Sequence, residues 1–132
     1  MNDFASNDNI ELSLPVNPAY VSAARLTASS IASRIGFDAD EIEDVKAAVS
    51  EACIFIIKNA PLRDNAVFKV AFSISESMVE INFSCSQQFK KINVKEEMGL
   101  LVIKALMDEL KVENDSKFGI VIKKSHKRYA FE

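Results

Sequence analysis

Glu51 and Phe55 stand one helical turn apart in the run DADEIEDVKAAVSEACIFIIKNA, residues 38–60, and they differ in kind. A carboxylate can take a proton from a group held within hydrogen-bond reach. A phenyl ring has no lone pair for a hard cation, so the pair does not make a metal site. The other residues able to do chemistry are scattered. Cys53 falls among the apolar positions of the same run, and Cys85 follows an alternating segment. The single histidine, His126, lies far along the chain, with no metal-ligand spacing to either thiol. Both cysteines read as reduced and structural, and no metal site is expected. Asp108-Glu109, beside Leu106 and Leu110, reads as the solvated face of a helix, and Lys123, Lys124, Lys127 and Arg128 as a solvated strand end without the aromatic platform that nucleic-acid binding calls for.

The elements that must hold these groups follow from periodicity. Asp38 and Glu41 have the spacing of a capping box, and Ile42, Val45, Val49, Ala52, Cys53 and Ile56 recur at helical intervals behind it, so a long helix is predicted over 38–60. An earlier helix is predicted from about 18 to 35. Pro18 opens it, its apolar stripe is Val21, Ala24, Ala28, Ile31 and Ile35, and Gly36 closes it in a left-handed position before Phe37. Ile10, Leu12 and Leu14 alternate as a strand ended by Pro15. Phe68 to Ile74 and Val79 to Phe83 alternate about a turn at Glu76-Ser77 and predict a hairpin. After a polar connector, Leu100 to Leu110 predicts a third helix, then short strands over 111–113 and 118–124, with Tyr129 and Phe131 packing the chain end down. The order β-α-α-β-β-α-β-β predicts an α+β two-layer sandwich, a mixed but mostly antiparallel sheet with its helices on one face.

A chain of 132 residues with 48% hydrophobic residues, 27% charged and a net charge of -3 suits one domain, 1–132, whose first eight residues are expected to fray. The mild acidic balance gives no electrostatic case for nucleic acid or an anionic membrane. With neither a leader-like N-terminus nor an apolar run able to span a bilayer, the expected location is cytoplasmic.

Several segments together resemble the anti-sigma-factor serine kinases, small members of the superfamily that includes the histidine kinases. They are VNPAYVSAARLTASSIASRIGF, DEIEDVKAAVSEAC, GLLVIKALMDEL and the closing hairpin, and the strongest are SEAC at 50–53 and LMDEL at 106–110. The resemblance implies a histidine-kinase-like ATPase fold, a homodimer, and a sigma factor or sigma-regulating protein as partner. It also implies an ATP site of three motifs, and the chain departs from each. Glu51 falls at the general-base position, but Phe55 replaces the asparagine that would hold Mg²⁺. Cys85 and Gln87 stand where an aspartate and a glycine would receive adenine. The lid between Ser84 and Met98 is shortened, Gly99 alone remains of a glycine pair, and Glu96-Glu97 would repel phosphate.

The resulting expectation is an anti-sigma regulator that works by protein–protein binding, is not an enzyme and takes no cofactor, with Glu51 a vestigial base. Arg25, which otherwise reads as a surface charge, matches an arginine that relatives use on their partners. The alternative is an ATP- and Mg²⁺-dependent serine/threonine kinase with atypical ligands, in which a shifted helix register would make Asn59 the surviving asparagine. A third reading is an apolar small-molecule pocket around Phe55, Cys85 and Gly99.

Overall fold

A computed structural model describes residues 8–61, 66–86, 89 and 97–126. Five strands and three helices are present among them: β1 (Asp8–Pro15), α1 (Val21–Ile35), α2 (Ala39–Asn59), β2 (Val67–Ile74), β3 (Met78–Cys85), α3 (Met98–Leu106), β4 (Glu109–Asn114) and β5 (Phe118–Ser125). The strands form one sheet in the order β1-β2-β3-β5-β4, and every described pairing is antiparallel. Helices cover one face, which makes the expected two-layer sandwich.

The register explains the core. Side chains alternate between faces along each strand, so residues paired across the sheet share a face in rows. One row runs Leu14, Phe68, Cys85, Phe118 and Asn114; the next runs Leu12, Val70, Phe83, Ile120 and Val112. Phe68, Phe83, Phe118 and Ile120 are fully buried beneath the helices. The opposite face carries polar residues such as Lys69, Glu80, Asn82 and Lys123, all at least partly exposed, as suits an antiparallel sheet with one wet side.

Local signals set the helix ends. Asn17 caps a 3-10 turn at Pro18–Tyr20 by accepting from the Ala19 amide, so α1 proper starts later than the proline suggests. Gly36 closes α1 with φ 98°, a conformation that costs a residue with a Cβ. Asp38 and Glu41 form the full capping box: the Glu41 amide donates to Asp38 Oδ1 and the Asp38 amide to Glu41 Oε1, both at 2.8 Å.

Several expectations are corrected. The third helix ends at Leu106, because Met107 turns the chain and Leu110 enters β4; the LMDEL run therefore straddles a helix–strand junction. Asp108-Glu109 lies past that helix: the Ser125 amide donates to Asp108 Oδ2, and Glu109 opens β4 with Oε1 3.8 Å from Lys123 Nζ. Cys85 is the last residue of β3, not beyond it. Asp8 is paired in β1, while residues 1–7, with Lys127, Arg128, Tyr129 and Phe131, lie outside the described residues. Lys124 is buried at 7% exposure, not solvated.

Candidate functional site

The site lies where the C-terminal half of α2 crosses the Phe68–Cys85–Phe118–Asn114 row. Glu51 and Phe55 project there from one helix, held in register by the capping box a few turns earlier. Glu51 is half-buried, and its carboxylate lies against the first turn of α3: a Cβ at Gly99 would sit 2.9 Å from Glu51 Oε1. Glycine at 99 permits that approach. The Glu97 side chain makes no capping hydrogen bond to α3.

Phe55 is buried at 4% exposure and stacks on Phe118 with ring centroids 5.5 Å apart. Phe118 also carries Phe89, nearly parallel at 4.1 Å and 4°. Phe89 is tied to the end of β4 by its backbone, its amide donating to Asn114 Oδ1 at 2.9 Å and its carbonyl accepting from Asn114 Nδ2 at 3.1 Å. Cys85 neighbours Phe118 in the sheet and is also buried. Burial pushes the Cys53 thiol up to about 12, so it stays neutral and inert at ordinary pH.

These residues do not fit a Mg²⁺–nucleotide in this arrangement. The Phe55 ring has no oxygen to offer a hard cation, and the Cys85 thiol is only a weak acceptor. Asn59, the fallback ligand, ends α2 with its amide donating to the Phe55 carbonyl at 2.9 Å. Among the described residues no group of three or more His, Cys, Asp or Glu side chains could hold a metal. Gln87 and most of the connector, 90–96, lie outside the described residues. Among the described residues the rings of Phe55, Phe118 and Phe89 pack together beside Cys85, and a groove that reaches Cys85 along β2 and β3 is lined by neither Phe55 nor Gly99.

Periodicity in the sequence pointed to a second cluster that was missed. Glu41, on the first turn of α2, is fully buried, and His126 Nδ1 lies 3.0 Å from its Oε1. Lys124 donates to the Leu106 carbonyl at 2.7 Å and lies 3.7 Å from Asp44. Ile120, Ile122, Lys124 and His126 continue one period-two series, so the buried face of β5 was written in the alternation. Arg25 is exposed on α1, as expected, and beside it Leu26 is 68% exposed.

Comparison with known proteins places these observations in a lineage. The family described as "Histidine kinase-like ATPase domain" matches residues 14–123. The serine-protein kinase RsbW of Bacillus subtilis is 34% identical over 89% of this chain and 85% of its own, and that of Oceanobacillus iheyensis is 35% identical over 87% and 84%. The solved RsbU and RsbW domains of Rv1364c from Mycobacterium tuberculosis superpose on 89% of this chain with a TM-score of 0.72; at 16% identity and 32% of that longer chain, the likeness is one of fold. The expectation of a non-enzyme is overturned by these relatives, because proteins a third identical over nearly the whole chain are serine-protein kinases. No helix among the described residues is long and apolar enough to cross a membrane. With its strand order, its central helix and its match to an RsbW kinase over 89% of its length, the chain belongs to the histidine kinase-like ATPase domain family, in the anti-sigma-factor kinase-like group.

Proposed function

We propose that this chain is an anti-sigma regulatory protein that works by direct contact with a sigma factor or a sigma-regulating protein, in the cytoplasm and as a homodimer. The observation that carries the reading is the match to serine-protein kinase RsbW across 89% of the chain. The surface assigned to the partner is α1, where exposed Arg25 stands beside exposed Leu26; a guanidinium next to an apolar side chain is the composition of an interface anchor.

Serine-protein kinase activity, the activity in the relatives' names, is the enzymatic reading kept for the chain. Glu51 is the carboxylate assigned to its base position, with Phe55, Cys85, Gln87 and Gly99 at the nucleotide positions. The test is binding of purified protein to each sigma factor and candidate regulator of its host, followed by fluorescence anisotropy. One of them binds at micromolar affinity or tighter, and Arg25→Ala weakens that complex at least tenfold. Absence of binding to every candidate sinks the proposal, and an unaffected Arg25→Ala complex moves the interface off α1. Sedimentation reads the homodimer directly.

A further inference from the structure

A groove of about 220 Å³ crosses the face of the sheet turned away from the helices. Lys69 and Ser84, partners in the β2–β3 register, lie on that face, and side chains two apart along a strand return to the same side. Ser86 therefore follows Ser84. Because Cys85 pairs with Phe118, the next step of the register sets Lys117 beside Ser86. Phe68 and Cys85 also border the groove, but both are buried beneath the helices, so the groove and the Phe55 ring cluster lie on opposite faces of the same strands. None of the residues that line this groove is acidic. Among the described residues no carboxylate pairs with Lys117, and Lys69 is 3.9 Å from Glu11 with both side chains more than half exposed, a contact that water screens. Glu11 and Glu113 stand further out, on the edge strands β1 and β4, in an adjoining groove that shares Lys69, Ser84 and Lys117.

We propose that Lys69, Ser84, Ser86 and Lys117 bind a compact tetrahedral dianion of the phosphate kind on the open face of the sheet. Two ammonium groups match its two charges, and two hydroxyls donate to the oxygens that the lysines leave over. The flanking glutamates select for size. A long polyanion laid across the strands runs into Glu11 and Glu113, whereas a compact anion stays over β2, β3 and β5, between the lysines. The site asks nothing of Glu51, Phe55 or a metal, so it goes beyond both the partner reading and the kinase reading and stands or falls apart from them.

The experiment is titration of the isotope-labelled full chain with inorganic phosphate at constant ionic strength, read from backbone amide shifts. The amides of Lys69, Ser84, Ser86 and Lys117 move together along one saturable curve, and sodium chloride in place of phosphate does not move them. Lys69→Gln and Lys117→Gln each weaken that binding at least fivefold, while Lys117→Arg, which keeps the charge, retains it. Both lysines are exposed, so these variants keep the fold. Lys111→Gln removes a like charge from the same face, outside the groove, and leaves the binding unchanged. If phosphate saturates no groove amide, or if Lys111→Gln weakens binding as much as Lys117→Gln, the lysines are only a solvated face and the inference falls. A Lys117→Arg protein that binds as weakly as Lys117→Gln also overturns it, because charge is then not what holds the anion. Shifts confined to Glu51 and Gly99 do the same, since the anion is then held on the helix side.

Discussion

The two ends of α2 rest on the same sheet with opposite chemistry. The N-terminal end carries a fully buried carboxylate, Glu41, which meets His126 and caps the Asp38 amide, with Lys124 and Asp44 close by. The C-terminal end carries Phe55, Phe118 and Phe89 in contact, with buried Cys53 and Cys85 among apolar neighbours. The difference teaches where a fold tolerates a buried polar group. A helix start offers unpaired amides and a positive dipole, so a carboxylate is held there by donors the backbone must satisfy in any case. The far end of the helix offers no such donors to the sheet, and the same depth of burial is filled by rings, whose contribution is area and packing.

The strongest way to break the contrast is to remove the ring that both others touch. Phe118→Ala lowers unfolding free energy by about 4 kcal/mol, the cost of a large buried aromatic and the void it leaves. Urea denaturation measures it, and a loss below about 1 kcal/mol would mean that the rings do not pack as a unit.

Glu41→Ala tests the other end, where it strips a buried imidazole of its carboxylate and the Asp38 amide of its acceptor, for a loss of about 3 kcal/mol. A near-neutral result would show the pair to be dispensable. Asp38→Ala removes the reciprocal half of the box alone and costs about 1 kcal/mol by the same measurement. Should it match Glu41→Ala, capping would account for the whole polar end and the contact with His126 would add nothing.

Cys53 gives the smallest effect at neutral pH and the clearest sign at high pH. Its folded pKa is raised to about 12 from an ordinary 9.0, so the fold favours the neutral thiol. The stability this provides is complete below about pH 9 and is lost as pH rises towards 12, since the unfolded chain releases its proton first. Cys53→Ala therefore flattens the fall in stability across that alkaline window and leaves the neutral range little changed. Equal alkaline slopes for the two proteins would count against a neutral buried thiol. At pH 8 a thiol reagent labels native Cys53 only as fast as the chain unfolds.

Much of the fold was legible because it rests on local periodicity and local chemistry. The capping box at Asp38 and Glu41, the glycine closing α1, the hairpin of β2 and β3 and the sheet's alternation all follow from neighbours within a few residues. Two of the misreadings share one cause, which is that distant parts of the chain complete them. Leu110 fits a helical spacing, yet pairing with Ile122 draws it into β4. Lys124 looks like a solvated tail residue until the Leu106 carbonyl and Asp44 are seen to meet it.

The candidate site divides the same way. Glu51 and Phe55, one turn apart on one helix, were readable as a pair, as was the absence of a metal-binding oxygen at position 55. What fills the space around them was not. Phe89 reaches Asn114 across 25 positions, and the stack on Phe118 joins three separate segments. The sequence by itself determined which residues each element could present and the family to which the chain belongs, because helix and strand periods act over a few residues. The tertiary structure alone decided that three rings and an asparagine amide share one spot while a carboxylate and a histidine share another. Sheet register between distant strands, which no local pattern specifies, sets those neighbours.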